Sequence, residues 1–208
     1  MMEESVTSLL ARVASVDPTP GGGSVSALAG AQGAALCAMV WRLTGTKSID
    51  PEAEKRLADA AARLDELRSR LLLAFEADSA SYEAVMAAFR LPRETDAHKA
   101  ARREAIEEAT KHATLVPLET ARDCFEVLEA CAAAVTEGHQ GAVTDAGVGL
   151  QMAHAGLQGA LYNVEINLGS LKDEGFKEST TAEVARLRAA GETVYQRIEA
   201  TMRRVLAS

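Results

Sequence analysis

The sequence has 208 residues, of which 48% are hydrophobic, 25% charged and only 4% aromatic, and this composition is typical of a globular protein with a sizeable core. Its net charge of −8 argues against broad nucleic-acid binding but leaves room for an anionic small molecule. At the N-terminus no positively charged segment precedes an apolar run. The uncharged stretch that ends at Trp41 is interrupted by prolines and glycines. We therefore expect a cytoplasmic protein without a signal peptide or a membrane span.

Helical periodicity runs through almost the whole chain, without a convincing alternating strand pattern. Asp50 and Pro51 resemble an N-cap followed by proline at the first helical position, Asp96 is a candidate cap, and Pro117 marks a further helix start. The predicted helices cover roughly residues 4–16, 24–44, 51–90, 96–115, 117–137, 144–168 and 179–206. The sequence thus predicts an all-α fold, a bundle of about seven helices in a single domain over residues 1–208.

The cysteines and histidines give no sign of a metal site. Cys37, Cys124 and Cys131 form an odd, sparse set without CxxC spacing, which predicts neither a disulfide framework nor a zinc site. Cys124 and Cys131, seven residues apart, are expected to share a buried helix face. The four histidines lack metal-ligand spacing. We expect no bound metal.

Asp78 interrupts an apolar stripe on the third predicted helix. The stripe follows three- and four-residue steps through Leu71 and Phe75 and resumes at Tyr82, so residue 78 occupies a position where the pattern calls for an apolar side chain. A buried carboxylate must be paired, hydrogen-bonded or protonated. Two interpretations follow: Asp78 accepts hydrogen bonds from a neighbouring helix end, or it lines a cleft and transfers protons.

The predicted helix 144–168 carries a second unusual stripe. Glycines and asparagines share one face, which comprises Asp145, Gly149, Met152, Gly156, Gly159, Asn163 and Asn167. Glycine is costly in a helix interior, so its repetition suggests close approach of another backbone or of a flat ligand. The two asparagines offer donors and acceptors to a heterocycle, or they bridge backbone groups between packed helices.

A glycine-rich segment opens the second helix. Gly21, Gly22, Gly23 and Ser24 provide free N–H groups that can hold an anion. The segment lacks the lysine of a P-loop and follows no strand, so a nucleotide site is not predicted.

The segments 18–40, 78–82, 91–93, 116–118, 144–145 and 163–167 together resemble the cyclodeaminase/cyclohydrolase family. The resemblance covers nearly the whole chain and includes no formiminotransferase domain. Two positions depart from the family pattern: the loop 138–145 lacks the usual asparagine, and Arg93 stands where lysine is common. The first departure bears on local contacts of that loop, and the second changes the geometry of the donor.

The resemblance implies an all-helical homodimer that binds a tetrahydrofolate derivative, with no cofactor beyond that substrate and with Asp78 as the catalytic residue. It places the remaining site residues in the folate cleft, namely Gly21, Gly22, Gly23, Ser24, Tyr82, Arg93, Asp145, Asn163 and Asn167. Arg90, Arg93 or Lys47 would meet the glutamate carboxylates of the folate.

Three candidate functions follow, two from the resemblance and one from the small-residue helices and the glycine stripe. The segment 163–177 favours formiminotetrahydrofolate cyclodeaminase, which closes the N5–N10 methenyl bridge and releases ammonia. The alternatives are methenyltetrahydrofolate cyclohydrolase and a non-catalytic helical dimer that binds folate or a protein partner.

Overall fold

The computed structural model describes residues 4–47 and 50–207, and in these ranges the chain contains helices and no strand. The α-helices are α1 Val6–Val13, α2 Gly22–Gly45, α3 Pro51–Phe89, α4 Asp96–Glu137, α5 Val143–Leu168 and α6 Glu174–Ala207. A short 3₁₀ helix, Gln140–Ala142, precedes α5. The all-α prediction is confirmed, but the described residues contain six α-helices rather than about seven.

The missing helix boundary is at Pro117, which lies inside α4 and does not start a new helix. Proline has no N–H, so it cannot donate to the carbonyl of Ala113 one turn earlier. The Nδ2 group of Asn167 on α5 donates to that carbonyl instead, at 2.8 Å. The prediction of two helices here is therefore wrong, because a side chain from another helix replaces the missing backbone bond and α4 continues.

Other helix ends agree with the sequence in part. Asp50 caps α3 by accepting from the N–H of Glu52, and Pro51 is the first helical residue, as expected. The cap of α4 is Thr95, which accepts from the N–H of His98, so the prediction of Asp96 as the cap is wrong by one residue. The last helix starts at Glu174, five residues earlier than its apolar pattern indicates.

Helices α2 and α5 pack against each other in antiparallel directions, and both pack on α4. Helix α3 packs on α2 and α4, and α6 packs on α4 and α5. The glycines of α2 and α5 face the partner helix: a Cβ on Gly33 would lie 2.8 Å from the carbonyl oxygen of Gly149, and one on Gly156 would lie 2.7 Å from that of Ser26. No side chain fits at such distances, so glycine at these positions lets the two backbones approach. The glycine stripe of α5 thus packs against a helix and does not hold a flat ligand.

The cysteines lie in this core. Cys37 of α2 and Cys131 of α4 form a disulfide, so the expectation of no disulfide is wrong. Spacing along the sequence could not reveal it, because the two residues are 94 positions apart and meet only when α2 packs on α4. Cys124 and Cys131 are both buried, as expected, and burial raises the pKa of the free Cys124 thiol.

A buried acid lies between α3 and α4. Asp123 is 5% exposed and pairs with the guanidinium of Arg70, at 2.6 Å. Burial raises the pKa of Asp123 to about 6 despite this partner. The pair borders a groove of about 550 Å³ on the outer surface of the α3–α4 contact.

Helix α2 is the one helix in the described ranges that is long and apolar enough to cross a membrane. Within its apolar window, 61% of the residues are buried in the fold. Length and composition alone are weak grounds for a span, since a core helix passes the same test.

Candidate functional site

A cavity of about 630 Å³ lies at the N-terminal end of α2. Its walls come from the segment before α2, from the second half of α3, from the first half of α4 and from the last turns of α5. This volume is within the range of small-molecule sites. Seven of the ten predicted site residues line it, namely Gly21, Gly22, Gly23, Asp78, Tyr82, Asn163 and Asn167.

Asp78 faces this cavity and is held by the first turn of α2. Its Oδ2 atom accepts from the backbone N–H and from the hydroxyl of Ser24, both at 2.8 Å. Ser24 is fully buried, so its hydroxyl orients the carboxylate and does not reach a ligand in the cavity. Both sequence interpretations of Asp78 therefore describe the same side chain: it accepts from a helix end and it lines a cleft.

Gly23 lets the carboxylate of Asp78 approach the start of α2. A Cβ at this position would lie 2.1 Å from Oδ1 and 2.8 Å from Oδ2 of Asp78. Any side chain at residue 23 would therefore displace the carboxylate. Residues 23 and 24 thus act on Asp78 together, one by leaving space and the other by donating two hydrogen bonds.

The two asparagines of α5 are anchored through their nitrogen atoms. Nδ2 of Asn163 donates to the carbonyl of Gly159 in its own helix, and Nδ2 of Asn167 donates to that of Ala113 in α4, each at 2.8 Å. One N–H of each amide is used within the fold, so the second N–H and the oxygen of each side chain stay available to other partners. Asn167 bridges two packed helices through its bond, and the offer of donors and acceptors to a ligand stays a prediction.

Three predicted site residues do not line the cavity. Ser24 lies behind Asp78, and Arg93 lies on the exposed connection between α3 and α4 that follows the cavity wall. Asp145 is near the start of α5, 18 residues or about 27 Å along the helix from Asn163. Lys47, proposed for the folate carboxylates, follows the far end of α2.

Sequence reasoning missed much of the apolar wall. Val85, Met86, Phe89 and Ile106 line the cavity. Arg102 of α4 donates to the carbonyl of Phe89 at 3.0 Å and lies over its ring, 5.5 Å from the centroid. This contact fixes the end of α3, and only the fold brings the two residues together.

The chemical character of the cavity follows from these contacts. Asp78 and Tyr82 are the titratable side chains on its wall, and Asp78 forms no ion pair with a described lysine or arginine. No group of three or more metal-ligating side chains occurs in residues 4–47 and 50–207. A flat apolar ring with polar edges fits such walls, with one uncompensated carboxylate beside it.

An all-helical fold with one anchored carboxylate in an apolar cavity defines a small-molecule site suited to proton transfer. The chain belongs to the formiminotransferase-cyclodeaminase family, whose model matches residues 5–186. The resemblance derived from the sequence is therefore confirmed, and the protein is an enzyme of this family.

Named relatives and a solved structure agree with this assignment. The chain is 38% identical to a methenyltetrahydrofolate cyclohydrolase of Methylorubrum extorquens, over 96% of both chains. It is 28% identical to the formimidoyltransferase-cyclodeaminase of Rattus norvegicus, of which it covers 35%. The crystal structure of formiminotetrahydrofolate cyclodeaminase from Thermotoga maritima shares the fold, with a TM-score of 0.88, 25% identity and 98% coverage of both chains.

Proposed function

We propose that the chain hydrolyses the methenyl bridge of 5,10-methenyltetrahydrofolate to give 10-formyltetrahydrofolate. The observation that carries this proposal is the Asp78 carboxylate, which two hydrogen bonds from Ser24 fix against the cavity without a cationic partner among the described residues. The methenyl bridge is cationic, so an uncompensated carboxylate attracts it and can also accept a proton from water. The 38% identity to a cyclohydrolase along the whole chain supports this reaction over the deamination that the segment 163–177 favoured.

In the proposed reaction, Asp78 acts as the general base. Water adds to the bridging carbon as Asp78 takes one of its protons, which gives a neutral carbinolamine. The new hydroxyl then loses its proton as the bond from carbon to N5 breaks, and N5 receives a proton from Asp78. The product carries a formyl group on N10 and a hydrogen on N5, and one proton is released to solvent.

The cavity walls have separate tasks in this proposal. The apolar side chains of α3 and α4 hold the ring system, and the oxygens of Asn163 and Asn167 accept from its N–H groups. The glutamate tail of the folate would extend past the end of α3 toward Arg90 and Arg93, which are exposed there. The cytoplasmic location and the need for no cofactor remain predictions.

Formiminotetrahydrofolate cyclodeaminase is the second candidate, and the likeness to the Thermotoga maritima enzyme over 98% of both chains favours it. In that reaction N10 attacks the carbon of the protonated formimino group, and the N10 proton moves through Asp78 to the departing nitrogen. Ammonia leaves and the cationic bridge forms. Because the same carboxylate serves both reactions, the site alone does not separate them.

The test supplies each folate to the purified chain and follows the near-UV absorbance of the methenyl bridge together with ammonia. Loss of absorbance above the buffer rate, without ammonia, is the expected result. Appearance of absorbance with stoichiometric ammonia would assign the deaminase reaction and overturn the proposal.

Asp78→Asn tests the base in either reaction. It should lower kcat by about 10² to 10⁴ because the amide cannot accept the proton. Asp59→Asn is a matched control on the same helix, since Asp59 is exposed and forms an ion pair with Lys55. Equal activity of Asp78→Asn and Asp59→Asn would show that Asp78 is not the base.

A further inference from the structure

Two serine hydroxyls near Asp78 differ from many others in the helices. A helical serine or threonine commonly donates to the carbonyl three or four residues earlier, within its own helix. In the described helices the residues that do so include Ser26, Thr44, Ser69, Ser81, Thr114, Thr120, Ser179 and Thr193. The Oγ atoms of Ser24 on α2 and Ser79 on α3 instead lie 3.3 Å from each other. Each of these two hydroxyls is therefore directed at the other helix.

The direction of the hydrogen bond between Ser24 and Ser79 follows from the number of protons. Ser24 Oγ donates to Oδ2 of Asp78 at 2.8 Å. A hydroxyl has a single proton, and an ionised carboxylate is an acceptor only. Ser24 thus has no second proton for Ser79, so Ser79 donates to Ser24. The hydrogen bonds run in one direction, from Ser79 to Ser24 and from Ser24 to the carboxylate of Asp78.

Beyond these bonds, neither hydroxyl has a partner in the described part of the chain. Ser24 is fully buried, so bulk water does not reach its hydroxyl. Ser79 is partly exposed but does not belong to the cavity wall, so it does not reach a ligand there. Loss of the Ser79 hydroxyl would therefore leave the buried oxygen of Ser24 without a donor.

The hydroxyl of Ser24 has a competing acceptor in its own helix. Ser26, two residues later, donates to the carbonyl of Gly22 four residues earlier, at 2.7 Å. The corresponding acceptor for Ser24 is the carbonyl of Pro20, and rotation about the Cα–Cβ bond would direct the proton away from the carboxylate on α3. Donation from Ser79 opposes this rotation, because it holds the Ser24 oxygen on the side of α3.

We propose that Ser79 is a positioning residue of the site: its hydroxyl donates to Ser24 and so holds the Ser24 hydroxyl against the carboxylate of Asp78. This role rests on the proposed function, in which Asp78 is the base. Successive hydrogen bonds polarise one another, so the donor that reaches the carboxylate is stronger with Ser79 behind it. Because Ser79 does not touch the ligand, its removal should affect the chemical step and not the binding of the substrate.

The size of the effect follows from the contact distance. The Oγ atoms of Ser79 and Ser24 are 3.3 Å apart, which is longer than the usual distance of about 2.8 Å between two hydroxyls. The backbone N–H of Ser24 also remains as a second donor to Asp78. Ser79→Ala should therefore lower kcat by a modest factor of about three to ten, with KM within about twofold of the parent. Ser79→Thr keeps a hydroxyl at this position and should retain at least about half of the parental kcat.

The first experiment measures kcat and KM for hydrolysis of 5,10-methenyltetrahydrofolate in these two variants and in Ser69→Ala. Ser69 is a matched control, since it is exposed on the same helix and donates to the carbonyl of Asp65 one turn earlier. Ser69→Ala should have parental kinetics. Parental kcat in Ser79→Ala, or an equal loss of kcat in either Ser79→Thr or Ser69→Ala, would overturn the proposal.

A double-mutant cycle tests whether Ser79 acts through Ser24. Ser24→Ala removes one of the two donors to Asp78, and the N–H that remains should preserve a measurable rate. Because Ser79 acts through the Ser24 hydroxyl, adding Ser79→Ala to Ser24→Ala should change kcat by less than about twofold. A loss by the same factor in the parent and in Ser24→Ala would show that Ser79 acts by another route, and the proposal would be wrong.

A third measurement needs no turnover. In protein labelled with carbon-13 aspartate, the side-chain carboxylate resonance of Asp78 is identified by its absence from Asp78→Asn, and its chemical shift reports the hydrogen bonds that it accepts. This resonance should move in Ser79→Ala and keep its position in Ser69→Ala. An unchanged resonance in Ser79→Ala would overturn the role of Ser79, whatever reaction the chain catalyses. Failure of the proposed hydrolysis would instead appear in the parent itself.

Discussion

Replacement of Gly23 by alanine should disable the site without unfolding the protein. The new Cβ would lie 2.1 Å from Oδ1 of Asp78, whereas ordinary contacts begin near 3.4 Å. The carboxylate would have to move by about 1.3 Å, and such a shift cannot preserve both 2.8 Å hydrogen bonds from Ser24. Misplacement by about 1 Å can cost roughly 10² in rate, so we expect kcat/KM to fall about a hundredfold.

The effect on stability should be small, because two changes oppose each other. Hydrogen bonds to a charged group contribute about 1.5–3 kcal/mol each, and part of this is lost when the carboxylate moves. Alanine is favoured over glycine within a helix by about 0.5–1 kcal/mol. Urea unfolding should therefore show a stability change of at most about 2 kcal/mol.

The assay compares steady-state hydrolysis of the methenyl bridge in Gly23→Ala and Gly45→Ala. Gly45 is the last residue of the same helix, and a Cβ there would lie 3.9 Å from Leu57, in ordinary contact. Gly45→Ala should keep parental kinetics. If folded Gly23→Ala keeps kcat/KM within about threefold of the parent, the inference that residue 23 positions Asp78 is refuted.

Three further predictions concern the scaffold. Asn167→Ala should lower the free energy of unfolding in urea by about 1–3 kcal/mol. The loss should be smaller in a Pro117→Ala background, because there a backbone N–H can donate to the carbonyl that Asn167 now binds. Equal losses in both backgrounds would contradict this account. The free energy of unfolding of Asp123→Asn should rise by about 1–3 kcal/mol relative to that of the parent between pH 4 and pH 7.5, as measured by unfolding at each pH. The pKa of Asp123 is about 6 in the folded state against an ordinary 3.8, so the folded parent binds more protons than the unfolded parent across this interval. The parent therefore loses stability as the pH rises. A flat difference would show that the partnership with Arg70 offsets the burial. Thiol titration of the unfolded, unreduced protein should find one reactive thiol, that of Cys124, and three after reduction, and three without reductant would exclude the disulfide.

Much of the fold was predictable because apolar spacing decides which segments are helical. Periodicity does not report how a broken backbone bond is repaired, and this is why Pro117 was misread as a helix start. Its missing donor is replaced by Asn167, which is 50 residues away in sequence. The disulfide was missed for a similar reason, since only the packing of α2 on α4 brings Cys37 and Cys131 together.

The site was predictable to the extent that single residues broke a pattern. Asp78 was conspicuous because a charge replaced an apolar side chain, and the glycines before it because they opened a helix. Nothing in one helix revealed that Gly23 and Asp78 touch, or that Ser24 donates to the carboxylate and not to a ligand. Asp145 lies on the same stripe as Asn163, but a stripe 27 Å long cannot serve one cavity within a single chain.

The anchored asparagines also have a consequence for the thermodynamics of binding. Each amide of Asn163 and Asn167 is fixed by its nitrogen to a backbone carbonyl, and the carboxylate of Asp78 is fixed by Ser24. These three side chains lose their rotational freedom when the protein folds, so a ligand does not bear that entropic cost, which is about 0.5–1.5 kcal/mol for each side chain immobilised. The cavity is thus preorganised, and its polar contacts should select ligands by the positions of their hydrogen-bonding groups more than by adapting to them.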